Sequence, residues 1–174
     1  MESTDLLVTA FGDVQEAVRG ALDGIDPALL TARIDPEANT IAWLVWHLTR
    51  GQDHQVAEVA GHEQAYPDGW ADRFGLPLDP AATGYGFSSE DVARTDITDP
   101  QLLLEYHAEV HRRTAQFLRT LTAADLDRIV DRRWDPPVTL GVRLVSVLGD
   151  GLQHAGQAAL LRGLLERREP ATRR

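Results

Sequence analysis

Apolar residues recur along this chain at three- and four-residue steps, the period of a helix face rather than the alternation of a strand. Between Asp5 and Leu22 the repeating positions are Leu6, Ala10, Val14, Ala17 and Ala21, with Ser3 or Thr4 available as the cap. Asp23-Gly24 and Asp26-Pro27 stop this helix; Ala28 to Arg33 is expected to form a short turn and Asp35 to Asn39 a loop. A second helix is predicted to start at Asn39 or Thr40, both good caps, and to run to about Ala60 before Gly61. A third begins at Pro100, a residue suited to a first helical turn, and reaches about Leu121. A fourth runs from near Thr139 to about Glu169, stopped by Pro170.

The stretch from His62 to Thr98 breaks the pattern. Gly69, Gly75, Pro77, Pro80, Gly84 and Gly86 exclude a long regular element, while Trp70, Phe74, Tyr85 and Phe87 predict a segment packed onto the rest. Ordered loops of this length are often functional. Thr122 to Asp125 starts a short helical turn, and Arg132 to Val138 reads as extended, broken by Asp135-Pro136-Pro137. No run alternates convincingly, so the expected fold is all-α: a four-helix bundle in one domain over residues 1–174.

Charge narrows the function. Lys+Arg number 17 against 27 Asp+Glu, a formal net charge of −10. Nucleic-acid binding needs clustered cations to neutralise phosphates, and this acidic chain has no basic run. The Arg pairs at 112–113, 132–133, 167–168 and 173–174 are expected at helix ends and on solvated faces. Cysteine is absent, which excludes disulfides, thiolate metal sites and a cysteine nucleophile. Any metal must be held by His and carboxylates, and any thiol must come from outside the protein. The N-terminus lacks a basic start and an apolar signal core, and no apolar run is long enough to span a bilayer, so the expectation is a cytoplasmic protein without membrane contact.

The fourth helix carries the chemistry. Val147, Gly151, His154, Ala158, Leu161 and Leu165 form the seam that a bundle helix turns toward its neighbours. Asp150 lies one turn before His154 on the same face. A buried carboxylate is costly unless a metal or a cation partners it. Arg143 and Gln157 flank that face as candidate partners. On the second helix, His47 sits among Trp43, Leu44, Trp46 and Leu48. A lone His on an apolar face is more often a hydrogen-bonded core residue than a ligand, and the Trp pair reads as core. Together, though, one His on the second helix and Asp-x-x-x-His on the fourth form the two-His, one-carboxylate set that binds zinc, iron, nickel or manganese and leaves positions open. His107 and His111 on the third helix have the same four-residue spacing and are an equally good pair by spacing alone. His107 falls on that helix's seam of Leu103, Val110, Thr114 and Phe117, which also suits a hydrogen-bonded core residue. His54 and His62 read as surface residues.

Two segments resemble a known family: Asn39-Thr40-Ile41-Ala42-Trp43-Leu44-Val45-Trp46-His47-Leu48-Thr49-Arg50 and Asp150-Gly151-Leu152-Gln153-His154-Ala155-Gly156-Gln157. They are similar to the DinB/YfiT-like metalloenzymes, closest to the actinobacterial branch with mycothiol-dependent members. Trp70 to Leu78 and Thr83-Gly84-Tyr85-Gly86 also look like that branch. The resemblance implies an up-down bundle with a long crossing connection between the second and third helices. It implies a divalent metal, zinc foremost with nickel or iron as alternatives, held by His47, Asp150 and His154. Many relatives have His at the first of the two fourth-helix positions, where this chain has the shorter Asp150. The resemblance gives His107 and His111 no ligand role. It further implies transfer of a low-molecular-weight thiol of the mycothiol type to an electrophile. In such a reaction His107 or Tyr85 is the expected residue to orient the thiol. A metal-dependent hydrolase and a non-catalytic metal- or ligand-binding protein are the competing functions. Relatives are often homodimers through helix faces, and no face is singled out here.

Overall fold

A computed structural model describes residues 2–168. Four long helices form the frame: α1 (Ser3–Leu22), α3 (Ile41–Ala60), α6 (Pro100–Leu118) and α7 (Leu140–Arg168). Short helical pieces lie between them: α2 (Pro27–Leu30), α4 (Ala71–Phe74) and α5 (Ser89–Ala93). Helix α7 packs on α1 and α3, and α6 packs on the same two, so each pair stands diagonally across the bundle. This is the all-α bundle expected from the periodicity, in the crossed up-down arrangement that the family resemblance implies.

The boundaries differ from the expectation where local chemistry outweighs periodicity. Helix α1 is capped by Glu2 rather than Ser3 or Thr4, its N–H donating to Asp5 Oδ2 at 3.1 Å. Thr40, not Asn39, caps α3, accepting from the Trp43 N–H, and Gly61 ends that helix in the left-handed region at φ 72°. Helix α6 stops at Leu118, three residues before the expected Leu121. The stretch expected to be extended, Arg132 to Val138, is instead almost wholly the loop of a small antiparallel hairpin, β1 (Ile129–Asp131) with β2 (Val138–Thr139), which leads straight into α7. Three residues are too few for an alternating pattern to announce a strand. The expected stop of α7 at Pro170 lies outside the described residues.

Nearly every residue of α3 from Ile41 to Asp53 is buried, polar ones included. The connection over residues 61–99 explains why. It folds back over α3 with a π-helical turn (Tyr66–Trp70) followed by α4, docked by one carboxylate. Asp53 accepts from the Ala65 and Tyr66 N–H groups at 2.8 Å each and from the Tyr106 hydroxyl at 2.9 Å. Arg50 lies 3.4 Å from the same carboxylate and stacks over the Tyr66 ring at 4.2 Å. Both side chains are almost fully buried, a placement tolerable only because the charges are paired and hydrogen-bonded. Trp46, Tyr66, Phe74 and Tyr106 pack around this node, and Trp70 and Phe87 also pack against the core as expected, whereas Tyr85 stands exposed.

Candidate metal centre

Facing turns of α3 and α7 bring His47, Asp150 and His154 together. One ligand atom from each lies within 4.8 Å of the others. The His47 and His154 rings meet edge to face at a centroid distance of 4.9 Å. Trp43, one turn before His47, lies flat on its imidazole at 4.6 Å and 9°. Gly51 on α3 faces Asp150 across this meeting, where a Cβ would be in ordinary contact at 3.8 Å from Oδ2. Asp150 reaches the cluster despite its short side chain. On the other side of α7, Gly151 lets α1 approach, since a Cβ would come within 3.2 Å of Val14.

Hydrogen bonds orient both imidazoles the same way. His47 Nδ1 is 2.6 Å from the Thr83 carbonyl, which can only accept, so Nδ1 carries the proton. His154 Nδ1 is 2.9 Å from Gln157 Oε1 and donates there. Each ring then has its Nε2 left for the cluster; His154 Nε2 stands 3.4 Å from Asp150 Oδ1. Two imidazole lone pairs and a carboxylate converge with no N–H or O–H of their own required between them. Such a set of acceptors calls for a cation, and its N/N/O composition suits a divalent transition metal. With only protons present, His154 takes that role. Its hydrogen bond to Asp150 holds its pKa above the usual value, and the same bond lowers that of Asp150. Burial is the main influence on His47 and lowers its pKa, keeping its imidazole neutral.

Beside the cluster opens a cavity of about 620 Å³, with His47 and Asp150 in its wall. The rest of the wall is largely polar: Gln55, Glu58, Ser146, Arg133 and Arg143, with Tyr85 at the rim, 90% exposed. Arg143 donates to Asp131 Oδ2 at 3.1 Å and lies 3.5 Å from Glu58, while Arg133 grips the same Asp131 at 2.7 Å. Asp131 is held far below the usual carboxylate range, chiefly by its hydrogen bonds from Arg133. Arg143 thus belongs to the cavity wall rather than to the cluster, and Gln157 to the support of His154. His54 also lines the cavity and is exposed, as is His62.

His107 points elsewhere. Thr49 spends its only hydroxyl proton on the Val45 carbonyl at 2.7 Å, so His107 Nδ1–H donates to Thr49 Oγ1 at 3.2 Å. His107 is 2% exposed, its Nε2 has no partner, and burial pushes its pKa down to about 3, with His111 adding to the effect. The depression it lines, with Gln15, Arg19 and Gln101, lies between α1 and α6. Its place is therefore not in the cavity of His47. Among the described residues, no fourth His, Asp or Glu joins the three-residue group.

Other residues that shape this site gave little sign in the sequence. Thr83, Gly51, Glu58 and Arg133 reach it only through the fold; the one hint was the Gly84-Tyr85-Gly86 spacing in the loop.

The family model of the DinB superfamily matches residues 10–158. The chain belongs to the DinB superfamily. Its fold is also that of a conserved protein from Enterococcus faecalis known from a crystal structure. The two superpose with a TM-score of 0.89 at 27% identity, covering 97% of this chain and 99% of the other. A search of curated proteins finds no match. Among the described residues no helix is long and apolar enough to cross a membrane.

Proposed function

We propose that this DinB superfamily protein is a metal-dependent enzyme in which His47, Asp150 and His154 hold one divalent ion, zinc foremost with nickel or iron as alternatives. The reaction we assign to it is transfer of a low-molecular-weight thiol of the mycothiol type to an electrophile in the cytoplasm. The observation that carries this reading is the convergence of the three donors beside a solvent-open cavity that His47 and Asp150 line, with no fourth His, Asp or Glu closing the group among the described residues. A catalytic site keeps a coordination position free where a structural site is closed.

When bound there, a divalent ion lowers the pKa of a thiol or water that meets it. A thiol must be supplied from outside, because the chain has no cysteine. The protein's own part is binding and orientation. Gln55, Ser146, Arg143 and Arg133 offer hydrogen-bonding groups suited to a polar, hydroxyl- or carboxylate-bearing cosubstrate. Tyr85, at the exposed rim, is placed to meet the electrophile. His107 has no part in orienting the thiol in this reading, because it lines the α1–α6 depression.

Elemental analysis of the purified, untagged protein beside His47→Ala tests the ion. Near-stoichiometric metal in the parent and loss in the variant support the site. Conjugation of a chromogenic electrophile is then followed with mycothiol, glutathione and coenzyme A. Metal without conjugation, but with hydrolysis of activated esters, would turn the reading to a hydrolase. Metal without either activity would turn it to a binding protein.

A further inference from the structure

The loop that covers His47 is gripped from beneath by Arg50. This side chain is 1% exposed and lies three residues beyond His47 on α3. Its Nε donates to the Ala82 carbonyl at 3.1 Å, and one terminal nitrogen reaches the Pro80 carbonyl at 3.5 Å. The other terminal nitrogen meets Gln64 Oε1 at 3.0 Å, Asp53 at 3.4 Å and the Tyr106 hydroxyl at 3.5 Å. The guanidinium is thus fastened to the bundle on one side and holds the loop backbone on the other. The next carbonyl along the loop, that of Thr83, receives the His47 Nδ1 proton at 2.6 Å.

Gly84 completes the fit. Its φ of 90° lies in the left-handed region, where side chains are disfavoured. An added Cβ would stand 2.9 Å from His47 Nδ1, 3.2 Å from Trp43 Nε1 and 3.2 Å from the Trp46 ring. The loop backbone can press onto the imidazole only because this residue has no side chain. Trp43, stacked flat on the imidazole, removes the freedom to tilt away.

We infer that Arg50 is a positioning residue: through the Ala82–Thr83–Gly84 backbone it locks His47 in the Nδ1–H tautomer with Nε2 turned to Asp150 and His154. Partners that fix the protonated nitrogen of a ligating imidazole commonly change metal affinity 10- to 100-fold when removed. Arg50 touches neither the cavity group nor its contents; its effect passes entirely through the loop carbonyl. The value of this lock to metal binding rests on the site proposed above, but the lock itself is a property of the metal-free chain.

The test uses the full chain, ¹⁵N-labelled and stripped of metal, with two-bond proton–nitrogen correlation spectra of the imidazoles at neutral pH. The parent protein is expected to show His47 in the Nδ1–H pattern. Arg50→Gln, which cannot bridge the loop to Asp53, should convert His47 to a mixture of tautomers. Gly84→Ala should do the same by displacing the backbone while leaving Arg50 in place. Arg50→Lys should recover part of the parent pattern. Zinc affinity, read by competition with a chromophoric chelator, should fall roughly 10- to 100-fold in Arg50→Gln and Gly84→Ala. If both variants keep parent helicity and His47 remains wholly Nδ1–H, the inference is overturned. The tautomer readout decides this even if the parent protein binds no zinc, which would sink only the metal reading.

Discussion

Asp150/His154 and His107/His111 have the same four-residue spacing, each on a long helix of the bundle, yet they end in opposite situations. The α7 pair faces α3, meets His47 there, and through Asp150 borders a cavity. Among the described residues the α6 pair meets no third His, Asp or Glu. His107 bonds Thr49 and its remaining nitrogen is buried without a partner, as is His111 Nδ1. Spacing along a helix decides only that two side chains share a face. What makes a ligand set is a donor arriving from another helix and room beside it for something to bind.

The sharpest way to break this contrast is to delete one member of each pair. His154→Ala should lower zinc affinity more than about 100-fold, beyond what loss of a supporting residue produces. Its helicity by circular dichroism should stay near that of the parent, since the His154 side chain is only half-buried. Retention of full metal content in that variant would dismiss the α7 pair.

The α6 pair should speak through acid stability instead. Folded His107 titrates at about 3, whereas the unfolded chain takes up that proton near 6.5. Below 6.5 the unfolded state binds the extra proton, so stability is fully present above that pH and is lost as the solution is acidified. The slope from this one group approaches about 1.4 kcal/mol per pH unit between the two values. His111, also lowered by burial, acts in the same direction. Urea unfolding of His107→Leu between pH 6.5 and 4 should therefore show a shallower acid limb than the parent. Equal slopes would mean that His107 is not held neutral.

A smaller effect is expected at Gln157, which supports His154 from behind at 2.9 Å. Gln157→Ala should weaken zinc binding about 10-fold without changing stability measurably. Smallest of all, His111→Ala should alter stability by less than about 1 kcal/mol and leave metal stoichiometry untouched, because this half-buried ring makes no hydrogen bond that the change would break. Loss of metal in His111→Ala would reverse the comparison.

Much of this protein was legible one helix at a time. The Thr40 and Gly61 ends of α3 and the seam carrying His154 follow from the 3.6-residue period and from capping chemistry, both local. On α1 the period held but the face was misplaced: Leu7, Phe11, Val14, Val18 and Ala21 are buried, while Leu6 is exposed, because two overlapping apolar stripes run along this helix and packing chose the bulkier one. The loop's aromatics announced that it would pack. The hairpin was too short to show a pattern, and nothing local distinguishes Arg50 and Asp53 from solvent-facing charges. Their burial depends on backbone groups of residues 65, 66, 80 and 82, brought over α3 by the chain's return.

By itself, then, the order of residues determined the bundle, the face on which each histidine lies, and the absence of any thiol ligand. Tertiary structure alone decided which i, i+4 pair would meet a third donor, which nitrogen of His47 would be free, and where a cavity would open. The physical reason is range. Helical period and capping act within about four residues, whereas a ligand set, a tautomer and a cavity are made by groups that only packing brings within a hydrogen bond of one another.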